Sequence, residues 1–176
     1  MEALRAAGKA KSIGVSNWSA KKLRAMKAHA RVFPAVNQVE LHPLNRQDDL
    51  LTACAEMTTH VTAYSPLGSP DSAAQIKHDG ATVMEHPTIQ KVAAATNKSA
   101  AQVLIRWAVQ RGTSVVPKSV TATRIASNFD VVGGWSLTDV QMAELSSIEP
   151  QKRMLHGQFW CNPKGPYKTA SDLWDD

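Results

Sequence analysis

Apolar residues in this chain fall in short runs that end in polar side chains, and the stretches between follow a helical period. Ser12-Ile13-Gly14-Val15-Ser16-Asn17 is one such run and has the signature of a buried parallel strand. Ser19 can cap the next helix, which puts Leu23 and Met26 on one face and Lys21, Lys22 and Lys27 elsewhere. Pro34 ends that connection, and Val36 to Leu41 forms a second strand. This strand is polar for a core strand, so Asn37, Gln38 and Glu40 need partners or water if buried. After the loop His42-Pro43-Leu44-Asn45, a helix is expected from Gln47 to Met57 and a third strand from His60 to Tyr64.

That strand runs into Ser65-Pro66-Leu67-Gly68-Ser69-Pro70, where Pro, Gly and Ser mark a loop. Residues 69–86 show no period and read as a long excursion. Pro87 suits the first position of a helix over 87–96. Ser99 opens another to Gln110, with Val103, Leu104 and Trp107 as its apolar stripe, Trp107 in the core and Gly112 as its stop. The fourth strand holds Val115-Val116 and is stopped by Pro117. Ser136 to Asp139 start a short helix through Leu145, and residues 150–176 read as an irregular tail. The pattern is β-α four times, which implies a parallel sheet with right-handed crossovers. A (β/α)8 TIM barrel takes about 250 residues, so four βα units within 176 residues make half of one, in a single domain over 1–176.

Composition narrows the class. Hydrophobic residues are 43% and charged residues 20%, an ordinary folded-protein balance. The net charge of +5 is spread, with local clusters only at Lys9 with Lys11 and at Lys21, Lys22 and Arg24, so nucleic acid is not an expected partner. No run of about eighteen apolar residues exists, so no membrane span is expected. Cys54 and Cys161 lack metal-ligand spacing and fit a reducing, cytoplasmic compartment. The scattered histidines give no metal site. The opening M-E-A-L-R-A-A-G-K is no secretory signal and resembles the last turns of a helix closed by Gly8, from which sequence preceding Met1 is expected.

Candidate chemistry collects where strands end. Lys118, Ser119, Thr121 and Arg124 fall on the loop and first helical turn after the fourth strand. Two readings fit them: a solvated basic turn, or a phosphate cradle using the helix N-terminus. The other strand ends carry Ser16-Asn17, Gln38 with Glu40, and Tyr64-Ser65. Ser16, Asn17 and Gln38 can hydrogen-bond an amide, Tyr64 can face a ring, and Ser65 to Ser69 can offer N–H groups and hydroxyls to a pyrophosphate. Together they fit a nicotinamide dinucleotide with an extra phosphate. No G-x-G-x-x-G is present, which argues against a Rossmann domain.

I-G-V-S-N-W at 13–18, V-N-Q-V-E-L-H-P at 36–43, A-Y-S-P-L-G-S at 63–69, V-P-K-S at 116–119 and R-I-A-S-N at 124–128 resemble the C-terminal half of an aldo-keto reductase. Pro166-Tyr167-Lys168 with Asp172-Leu173-Trp174-Asp175 is similar to the plant members. The resemblance implies an NADP(H)-dependent reductase that converts aldehydes or ketones to alcohols by hydride transfer. It implies that Ser16, Asn17 and Gln38 hold the carboxamide and Tyr64 stacks on the nicotinamide. Ser65, Leu67 and Ser69 would line the pyrophosphate, and Lys118, Ser119, Thr121 and Arg124 the 2′-phosphate. Asn128 would meet adenine, and Trp160 would lie by the substrate pocket.

Three departures bear on this. The family's catalytic Asp, Tyr, Lys and His belong to its N-terminal half, so no catalytic residue is assigned in this chain; His42 is read as shaping its loop. Ser127 stands where many members have an acidic residue near the adenine. Thr58 stands where a glycine usually closes a helix, an unfavourable choice if its backbone is left-handed. The alternative function is a non-catalytic, nucleotide-binding half-barrel that self-associates through open sheet edges.

Overall fold

A computed structural model of the chain describes residues 1–70 and 82–175. Most of residues 69–86, the expected excursion, lies outside the described residues; of it, Val83–Glu85 forms a 3₁₀ turn. The sheet has four parallel strands in the order β1 (Gly14–Ser16), β2 (Val36–Glu40), β3 (His60–Tyr64) and β4 (Ser114–Val116). The sequential order is what right-handed β-α crossovers produce. β1 and β4 are three residues each; β1 is shorter than the Ser12–Asn17 run that marked it, and β4 adds Ser114 to Val115-Val116.

The chain divides into two compact units. The first comprises residues 1–39, 47–62 and those from Gly157 on. Here β1 pairs in parallel with β2, with Gly14 opposite Val36, Val15 opposite Asn37 and Ser16 opposite Gln38. A side chain at position 14 would collide with the Val36 carbonyl, so Gly14 is required by the closeness of the strands. α1 (Glu2–Ala6) opens the chain, and Gly8 follows in a left-handed conformation. α2 (Ala20–Met26) starts at Ser19, whose Oγ accepts from Lys22 N, and packs on α3 (Asp48–Glu56). Leu23, Leu50, Ala53, Cys54 and Val61 form the core of this unit. The tail is more ordered than expected. It contains a 3₁₀ turn at Gln158–Trp160 and α8 (Ala170–Trp174), which a Thr169–Asp172 capping box nucleates.

The second unit comprises residues 40–46 and 63–156. α4 (Pro87–Thr96) and α5 (Ala100–Gln110) occupy the expected ranges, and α5 begins with the Ser99–Gln102 capping box. Trp107 is wholly buried, with its indole N–H donating to Ser146 Oγ at 3.1 Å and Arg111 stacked 4.6 Å from its ring. α6 (Ala122–Phe129) and α7 (Asp139–Ser146) complete the unit.

Buried polar side chains organise this second unit. Glu40 and His42 are both wholly buried, and His42 Nε2 lies 2.9 Å from Glu40 Oε1. The carboxylate also accepts from the backbone N–H groups of Met154 and Leu155. Burial alone would raise this carboxyl's pKa, but the His42 hydrogen bond and charge, with the two N–H donors, hold it below the ordinary carboxylate range. Arg46 reinforces the same region, donating to Ile148 O at 2.7 Å and pairing with Glu149.

Two predictions follow from this architecture. Thr58 does adopt a left-handed backbone, with φ +54. Thr58→Gly should raise stability by about 1 kcal/mol, read as a higher thermal midpoint; an unchanged or lower midpoint contradicts the strain. Glu40→Gln should cost about 3 kcal/mol near neutral pH. Because the folded carboxyl's pKa is depressed, its contribution is full above about pH 4.3 and fades as pH falls through the lower folded value. Urea unfolding across pH should therefore show the gap between wild type and Glu40→Gln closing in acid. A gap independent of pH would contradict the assignment.

Candidate functional site

The sequence-marked residues divide between the two units. In the first, Ser16 and Asn17 end β1. Gln38 O accepts both Ser16 Oγ, at 2.8 Å, and Asn17 N, at 2.9 Å. Asn17 is left-handed at φ +59, a conformation asparagine tolerates better than most residues. Its Oδ1 is buried with no hydrogen-bond partner among the described residues. The Gln38 side chain is exposed, which resolves one of the three polar positions of β2.

Asn37 is fully buried and satisfied. Its Nδ2 donates to Trp18 O at 2.9 Å and its Oδ1 accepts from Trp18 N at 3.4 Å. It also hydrogen-bonds Cys54, although burial dominates there and raises the thiol's pKa. Both cysteines are free.

The tail closes on the same loop. Ser19 Oγ donates to Asp175 Oδ2 at 2.6 Å, and Lys22 Nζ lies 2.9 Å from that carboxylate. The Ser19 hydroxyl, followed by Lys22, holds the Asp175 carboxyl below its usual range. Trp160 is half exposed, its ring tilted by 39° against Phe159 with centroids 4.2 Å apart, and edge-on to Trp174 at 6.3 Å.

In the second unit, Tyr64 ends β3, half-buried, with its carbonyl accepting from Leu41 N at 3.4 Å. The turn after it is tight. Gly68 N donates to Ser65 O at 2.9 Å, and Ser65, Gly68 and Ser69 all have positive φ. A side chain at Gly68 would run into Val83, so glycine is needed twice over. The Ser65 and Ser69 hydroxyls hydrogen-bond to each other.

A cleft of about 440 Å³ lies between this turn and the end of β4. Ser65, Leu67, Ser69 and Lys118 line it with Pro66, Pro70, Val116 and Pro117. Four of the expected residues thus meet in one cavity. The neighbouring prolines and Val116 were not singled out by sequence, though the Ser-Pro and Val-Pro-Lys spellings signal rigid strand exits.

Ser119, Thr121, Arg124 and Asn128 do not line that cleft. Ser119 Oγ accepts from Thr121 N at 3.2 Å, shaping the turn into α6. Thr121 is the N-cap residue but makes no side-chain cap bond. Arg124 is exposed and Asn128 half-buried on α6. Among the described residues, no cluster of His, Cys, Asp and Glu could hold a metal, and no helix is long and apolar enough to cross a membrane.

Comparison with known proteins gives a consistent result. The family model described as "Aldo/keto reductase family" matches residues 1–150. Aldo-keto reductase family 4 member C11 of Arabidopsis thaliana is 46% identical over 99% of this chain and 54% of its own length. Aldo/keto reductase slr0942 of Synechocystis sp. is 45% identical over 93% of this chain and 50% of its own. The crystal structure of Gox0644 in its apo form superposes with a TM-score of 0.73 at 33% identity, over 85% of this chain and 51% of that one. The chain thus spans about half the length of the relatives it matches, and the family model, which matches residues 1–150, shows that it belongs to the aldo/keto reductase family.

Proposed function

We propose that the chain supplies the cofactor-holding part of an NADP(H)-dependent oxidoreductase domain that reduces aldehydes or ketones to alcohols. The observation that carries this reading is the cleft in which Ser65, Leu67 and Ser69 meet Lys118. Two hydroxyls, a glycine-bearing turn and an ammonium on rigid strand exits suit a pyrophosphate and its neighbouring phosphate. The orphaned Asn17 Oδ1 fits the N–H of a carboxamide, beside Ser16 and Gln38. When bound, the nicotinamide supplies a hydride to a carbonyl carbon. The chain's own part is to bind and orient. Tyr64 offers its ring face, Lys118, Ser119, Thr121 and Arg124 take the 2′-phosphate, and Asn128 meets the adenine. Trp160, half exposed on the tail, borders the substrate.

A cytoplasmic setting fits two free thiols. No residue of the chain is given the proton-donor role. With NADPH and a reactive aldehyde, these 176 residues alone should show no turnover. Clear turnover would overturn the division of labour.

A second reading, self-association, is favoured by α6. This helix buries no residue, and Val120, Ile125 and Phe129 on or beside it are 86%, 51% and 75% exposed. Apolar faces of this kind mark contact surfaces.

Two measurements test these readings. Lys118→Met should weaken NADPH binding about tenfold, roughly 1.4 kcal/mol, and leave NADH binding unchanged. Equal losses for both nucleotides would reject the 2′-phosphate role. Sedimentation of the chain should show reversible dimers that Phe129→Asp disperses. A monomer at all concentrations rejects self-association.

A further inference from the structure

We infer that Asp175 is a positioning residue: through Ser19 and Lys22 the C-terminal segment holds the Asn17–Ser19 loop in the shape that aims Asn17. The inference rests on the reading of Asn17 as a carboxamide acceptor. A left-handed Asn17 is not the resting choice of a free loop, so its neighbours must fix it.

Two holds are present. Asn37 clamps Trp18 from both sides of its backbone. Asp175 clamps the next residue by accepting the Ser19 hydroxyl at 2.6 Å.

Asp175 is more than a surface ion pair. Its side chain is only 13% exposed, and Lys22, 24% exposed, reaches it at 2.9 Å, with Lys21 at 3.4 Å. Lys22 also donates to Leu173 O at 2.7 Å and sits 5.1 Å from the Tyr167 ring, so one ammonium ties three points of the tail to α2. The tail is itself held by apolar contact. Trp174 is 8% exposed, and no side chain fits at Gly157, where it would meet Leu173, Trp174 and Trp160. Order in the segment that carries Trp160 is therefore linked to the geometry of Asn17. Loosening one loosens the other, and the linkage runs both ways.

The test measures binding of NADPH and of adenosine 2′,5′-bisphosphate, which lacks the nicotinamide, by calorimetry. Asp175→Ala should weaken NADPH about tenfold, and Asp175→Asn, which keeps an acceptor for Ser19, by less. Neither should change affinity for the bisphosphate. Unchanged NADPH affinity, or equal loss for both ligands, overturns the inference. If the unsubstituted chain binds no NADPH, the nucleotide reading fails separately. Amide hydrogen exchange then decides the positioning role: Asp175→Asn should speed exchange across Trp18–Lys22, and unaltered protection there overturns it.

Discussion

A buried polar side chain must find partners, and this one requirement shapes the loops around the site. β2 carries two such side chains, Asn37 and Glu40, each without solvent exposure. Neither can satisfy itself within a parallel ladder, because the ladder uses only backbone groups. Each therefore captures a loop backbone in its own unit. Asn37 takes both polar groups of Trp18, and Glu40 takes the N–H groups of Met154 and Leu155 along with His42. Removing either amide or carboxylate would leave buried donors unmet, at about 1–3 kcal/mol each. The polar spelling of β2 thus serves as scaffolding at Asn37 and Glu40, while Gln38 is the exposed member of the trio.

Rigid strand exits then shape the cleft of the second unit. Ser65–Ser69 leaves β3 through three positive-φ residues, and Val116–Lys118 leaves β4 through a proline. Such exits restrict the backbone that carries the hydroxyls and the ammonium, so a ligand held there would lose little to ordering. Among the described residues, the cleft's prolines, the Ser65 and Ser69 hydroxyls and the Lys118 ammonium offer charge and hydrogen bonds.

Local features were legible in the sequence; distant ones were not. β3, α4 and α5 lie where period and capping placed them, because Pro87 and the Ser99–Gln102 box fix helix starts through contacts three residues apart. The left-handed Thr58 was readable from a missing glycine. Ser65 and Lys118 were read as strand ends, Ser69 from the loop that follows and Leu67 from the family resemblance, yet their meeting in one cleft is tertiary. The tail misled: its Pro, Gly and Asn content read as irregular, while Thr169-x-x-Asp172 was a start signal in plain view. Asp175 could not be found this way, since its partner Ser19 lies 156 residues earlier and a single aspartate announces nothing. Nor does a sequence show that Asn17 Oδ1 ends up buried and unmet.

The central claim is that the turn after β3 and the end of β4 form one dinucleotide cradle. Backbone amide NMR with stepwise NADPH addition tests it most directly. The account predicts saturable shifts concentrated at Ser65, Leu67, Gly68, Ser69 and Lys118, with smaller ones at Asn17. Absence of shifts at saturating NADPH, or shifts that leave the Ser65–Ser69 turn untouched, would contradict it.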